Sequence, residues 1–132
     1  MTSPFDALLA YQRQSEALGR IAQRLGWDHE TVMPAASGDD RSEEMAALEG
    51  VMHARGSGAE LSDLLSAVDP EQLAGSERRM FELIQTDFAR RQMVPQDLAV
   101  ALARITSKSH RAWTEAKAAD DVSIFLPMLS EV

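Results

Sequence analysis

Apolar side chains recur along the chain at helical spacing, and the breaks between them fall at proline and glycine. Phe5, Leu8, Leu9, Leu18, Ile21, Ala22 and Leu25 lie mostly on one stripe, which predicts a helix over residues 4–25. Ser3-Pro4 suits its start, because Ser caps free amides and Pro at the first helical position loses no hydrogen bond. Gln12 and Ser15 interrupt the stripe, so its middle is expected to meet a polar neighbour. Gly26 is expected to stop the helix. Residues 26–38 then read as a long loop closed by Pro34 and Ser37-Gly38.

The pattern resumes over residues 40–55, with Met45, Leu48, Val51 and Met52 on one face. Asp39 or Asp40 is the expected cap, and the acidic first turn suits the positive end of the helix dipole. Gly56-Ser57-Gly58 ends this helix. A short helix over 59–68 carries Leu61, Leu64, Leu65 and Val68 before Asp69-Pro70 breaks it. Ser76 is the expected cap of a helix over 77–93, with Met80, Phe81, Leu83, Ile84 and Phe88 on a wide apolar face. Val94-Pro95 is the sharpest boundary, since a residue before Pro avoids helical angles. Beyond it, Leu98, Ala101, Leu102, Ile105, Ala112, Trp113 and Ala116 recur at close to 3.6 spacing as far as Ala119. That stripe predicts a core face, with Trp113 inside. Asp120-Asp121 ends the helix and offers a cap for the next segment, whose apolar residues run on to Val132 without a stop signal. This abrupt stop is read as a piece of a longer chain. The pattern therefore predicts an all-α fold, an antiparallel array of five to six helices, with 1–132 as a single helical segment.

Composition narrows the class. Apolar residues make up 45% and charged residues 26%, ordinary for a globular domain, while abundant Ala and Leu favour helix. No run of about 18 apolar residues is present, so no membrane span is expected. The start MTSPFDALLA lacks the pattern of a signal peptide. There is no cysteine, which excludes thiolate chemistry and fits a cytoplasmic location. A net charge of −8 argues against nucleic-acid binding. The pairs Arg78-Arg79 and Arg90-Arg91 read as solvated or salt-bridged faces.

The stretch Gly26-Trp27-Asp28-His29-Glu30-Thr31-Val32-Met33-Pro34 concentrates the candidate chemistry. A helical zinc motif of the HExxH type needs a second His four residues after the first, and Met33 stands there. The three histidines, His29, His53 and His110, are far apart in sequence. Glu43 and Glu44 are adjacent on a helix and point about 100° apart, so they make no acid–base pair. No catalytic residue and no metal ligand is assigned to the chain. Trp27, Asp28 and Glu30 remain as candidate functional or loop-anchor residues, because loops carry function more often than cores do.

The same stretch resembles the N-terminal region of the carboxypeptidase Taq family, where G-W-D-Q-E-T-x-M-P is typical. Arg41-Ser42-Glu43-Glu44-Met45-Ala46-Ala47-Leu48 is similar to that family's R-x-E-x-x-A-x-L helix. Val94-Pro95 with Leu98, Arg104-Ile105-Thr106-Ser107, Ala112-Trp113 and the run Asp120 to Pro127 follow in the family's order. His29 replaces the usual Gln, and Val122 replaces a common Phe. The resemblance implies the front of a several-fold longer, largely helical metallocarboxypeptidase, commonly a homodimer. Such enzymes release C-terminal residues from peptides with a divalent metal, zinc-type, on an HExxH helix and a later Glu. Those elements lie beyond the matched segment, so the segment itself is expected to be inactive. Its implied partners are the rest of the parent chain, peptide substrates and a second copy. The alternative is a stand-alone helical interaction module without enzymatic activity. A small enzyme binding an anionic metabolite between helices ranks last, because only two lysines are present and most arginines fall on polar faces.

Overall fold

Ser3 Oγ accepts from the Asp6 amide, and the Asp6 carboxylate accepts from the Ser3 amide. This reciprocal cap starts α1 (Pro4–Thr31). The structure, a computed structural model, describes residues 3–131. After α1, a 3₁₀ turn at Ala35–Ser37 leads into α2 (Gly38–Ser57), and α3 (Ala59–Ala67) follows. A second 3₁₀ turn at Pro70–Gln72 precedes α4 (Gly75–Gln92). The chain continues through α5 (Gln96–Ala119), a turn at Val122–Ile124 and the short α6 (Leu126–Leu129). The expected all-α class holds, and no strand occurs among the described residues. Val94-Pro95 falls in the linker between α4 and α5, as its restricted backbone requires.

Two local expectations are corrected. The long loop over 26–38 does not form, because α1 continues to Thr31. Glycine within a helix costs only about 1 kcal/mol against alanine, and tertiary bonds to this turn offset it. Arg41 donates to the Leu25 carbonyl and pairs with Asp28. The true stop is Pro34, which bars helical angles at Met33. The Val32 and Met33 amides both return to the Asp28 carbonyl. Ser76 is not a cap but lies inside α4; Gly75, at φ 56°, makes the turn into that helix. At the chain's end, Asp120 takes the left-handed cap position of α5 at φ 54°, and Asp121 accepts from the Ser123 amide. The abrupt stop at Val132 lies outside the described residues.

The helices pack around two centres. Phe5, Leu8 and Tyr11 of α1, Leu61 and Leu65 of α3, Val68 just beyond it, and Phe81 of α4 form one buried cluster. The other is a seam between α2 and α5. Gly38, Ser42, Ala46 and Gly50 recur every four residues on α2, and Ala99, Ala103 and Ser107 do so on α5. Such i, i+4 ridges of small side chains let two helices approach closely. A Cβ on Gly50 would sit 3.3 Å from Val100 Cγ2, and Ala46 is buried. The pairings Gly38–Arg111, Ser42–Ser107 and Gly50–Val100 make the two helices antiparallel. α1 is antiparallel to α2 by the same logic, with Tyr11 against Arg55 and Asp28 against Arg41.

This seam corrects the expectation for α5. The stripe of large residues does not face the core: Trp113 is 46% exposed, and Leu98 and Leu102 are exposed with it. Small residues fill the close centre of the contact with α2, so Leu98, Leu102 and Trp113 fall on the outer face. Trp113 lies beside His110, under the Lys117 ammonium.

Candidate functional site at the junction of α1, α2 and α5

The last turns of α1, the first turns of α2 and the middle of α5 enclose a cleft of about 350 Å³. Leu25, Met45 and Ala103 supply apolar walls, and His29, Glu30 and His110 stand at its edge. Its lining thus comes from three sequence segments that are far apart in the chain.

Arg41 is the fastener. Its side chain is largely buried, and its guanidinium donates to the Leu25 carbonyl, the Asp28 carboxylate and, at 2.8 Å, Glu44. A fixed guanidinium fork suits several simultaneous acceptors. The hydrogen bond that it donates to Asp28 holds the Arg41 guanidinium above its ordinary pKa, with burial opposing and Glu44 adding to the rise. On the outer rim, Arg104 grips Glu43 through two bonds of 2.8 and 2.9 Å. That contact holds the Glu43 carboxyl below the usual carboxylate range. Arg111 reaches Asp39 at 2.9 Å, and the Ser42 and Ser107 hydroxyls meet at 3.3 Å.

On the side facing α1, His110 Nε2 lies 2.8 Å from Glu30 Oε1. The His29 and His110 rings meet edge to face, with centroids 5.1 Å apart. Burial lowers the His29 pKa below the ordinary histidine value. His110, Arg41 and Arg111 lower it further, and Glu30 opposes them.

The sequence candidates separate in space. Trp27 sits on the helix rather than on a loop, is 64% exposed, and does not line the cleft. Asp28 is the anchor between α1 and α2. Glu30 borders the cleft and pairs with His110. Arg41 and the meeting of His29 with His110 were missed, since no local pattern relates positions so distant in the chain. His53 stands apart, its Nε2 donating to the Val94 carbonyl at 2.6 Å.

Ligating imidazoles must aim their nitrogens at one point. His110 Nε2 is instead engaged by Glu30. No group of three His, Cys, Asp or Glu among the described residues is placed to hold a metal ion. The cleft therefore does not fit a metal, and no metal-assisted step is assigned to it. No helix among the described residues is long and apolar enough to cross a membrane.

Comparison with known proteins places this helical array in a class of peptidases. Residues 7–132 match the family described as carboxypeptidase Taq (M32) metallopeptidase, and the chain belongs to that family. It is 29% identical to thermostable carboxypeptidase 1 of Thermus thermophilus, over 97% of this chain and 26% of that protein. It is 30% identical to thermostable carboxypeptidase 1 of Pyrococcus furiosus, over 95% of this chain and 25% of the relative. It is also 24% identical to carboxypeptidase 1 of Bacillus subtilis, again over 25% of the relative. The fold matches the BsuCP crystal structure with a TM-score of 0.78 and 25% identity, over 95% of this chain and 25% of that one. The chain thus spans about a quarter of the length of these proteins.

Proposed function

We propose that the chain is the N-terminal helical region of a zinc-type carboxypeptidase that releases C-terminal residues from peptides. In this reading the metal centre, an HExxH helix with a later Glu, lies outside the 132 residues. The chain has no catalytic centre of its own and is inactive alone. It helps wall or cap the peptide groove, with Trp27, Asp28 and Glu30 at the end of α1 as the residues nearest that role. The parent is cytoplasmic and homo-oligomeric, and its partners are peptides rather than nucleic acid.

The observation that carries this reading is the family match across residues 7–132 by a chain only a quarter as long as its relatives. The test is Trp27→Ala in the intact enzyme. Because Trp27 is 64% exposed, the substitution should leave unfolding and metal content unchanged. A groove role then requires kcat/KM to fall. An unchanged kcat/KM for both Trp27→Ala and Asp28→Ala removes the role.

The exposed outer face of α5, with Leu98, Leu102 and Trp113, also supports the second reading, a helical interaction module without enzymatic activity. Release of amino acids from peptides by the purified 132-residue chain, abolished by a chelator, contradicts both readings.

A further inference from the structure

The end of α1 is held differently from its beginning. All of its buried residues, Phe5, Leu8 and Tyr11, lie in its first turns. Beyond Leu25 the helix is fastened to α2 by Arg41. It meets α5 through the side chains of His29, Glu30 and His110 rather than by close backbone approach. The histidine contact therefore closes one side of the cleft.

We propose that His29 and His110 form a proton-controlled latch between the end of α1 and α5, fastened with at most one proton on the pair and released by the second. With the pair neutral, His110 Nε2 can donate to Glu30. With one proton on His110, the same contact becomes an imidazolium–carboxylate pair, still attractive. A second proton has no such place. His29 lies against His110, and the cations around it are Arg41 from α2 and Arg111 from α5. The nearby anions are already engaged: Asp28 and Glu44 by Arg41, Asp39 by Arg111, and Glu30 by His110. Two imidazolium rings with centroids 5.1 Å apart repel, and Glu30, the one carboxylate that acts on both rings, must be shared between them and is already engaged by His110.

The lowered pKa of His29 agrees in sign. A histidine depressed in the docked state favours docking above its unfolded pKa. That contribution is lost as pH falls through the unfolded value toward the docked one. The two protons are best described as belonging to the pair, since the rings touch. Arg41 stays charged throughout and keeps the turn on α2. Release therefore widens the cleft beside Leu25, Met45 and Ala103 without unfolding the Phe5–Phe81 core.

Amide hydrogen exchange of the 132-residue chain tests this, with rates corrected for the intrinsic effect of pH. Between pH 7.5 and 5.0 local opening of the last turn of α1 should rise by roughly threefold or more, while amides around Leu8 keep their protection. His29→Gln should remove the acid response while retaining helical circular dichroism. Should that variant not fold, His110→Gln serves the same purpose. Opening that does not change with pH overturns the latch, as does an equal acid response in the variants. A parallel rise across the Leu8 amides also overturns it, because that is global unfolding.

Discussion

Arg41 and Asp28 join α2 to the end of α1 by an ion pair in which the guanidinium is largely buried and the carboxylate partly so. Arg41 also donates to the Leu25 carbonyl, so one side chain holds the turn on either side of Gly26. Removing Asp28 leaves a mostly buried guanidinium short of an acceptor. Asp28→Ala should therefore destabilise the chain by about 1–3 kcal/mol in urea unfolding. Glu44 and the Leu25 carbonyl keep the loss from growing further. A change within about 0.3 kcal/mol would mean that Arg41 finds its partners elsewhere.

Gly26 separates a helix from a loop by experiment. Nothing lies within 4 Å of a Cβ built there, and its φ is not positive. In a continuous helix, Gly26→Ala should stabilise by roughly 0.5–1 kcal/mol. A loss of stability would show that this position needs glycine and that α1 breaks as the apolar pattern suggests.

The seam between α2 and α5 depends on small residues. Ala46 is 1% exposed against α5, so Ala46→Leu must push the helices apart and should cost about 1–3 kcal/mol. In the other centre, Leu8 is fully buried, and Leu8→Ala should cost about 2–5 kcal/mol. Thermal and urea unfolding of the two variants show whether both centres belong to one cooperative unit. Separate transitions would contradict that unity.

The outer face of α5 predicts the opposite response. Leu98 and Leu102 are exposed, so Leu98→Ser with Leu102→Ser should change unfolding by less than about 1 kcal/mol. The same pair should reduce hydrophobic-dye binding and self-association in sedimentation, because an exposed apolar stripe is where a neighbour docks. Full dye binding after both substitutions would place the sticky surface elsewhere.

The sequence made some features readable and hid others for physical reasons. Ser3-Pro4 and Val94-Pro95 act through local backbone chemistry, and both boundaries appear as that chemistry requires. Gly26 misled because its helical penalty is small beside the bonds that Arg41 brings from another helix. The α5 stripe misled for a related reason. Periodicity identifies a helix and its large apolar face, yet the tight contact uses Ala99, Ala103 and Ser107 instead. The resemblance drew attention to Trp27, Asp28 and Glu30. Only the fold shows that Asp28 anchors, Glu30 faces His110 and Trp27 stands in solvent.

The central claim is that this is the front of a metallocarboxypeptidase whose catalytic centre lies elsewhere. The most direct measurement is to sequence the source gene beyond the codon for Val132. The account predicts an open frame continuing for about three times the present length, encoding HExxH on a helix and a later Glu. A stop codon immediately after Val132, or a continued frame without that metal-binding set, would contradict it.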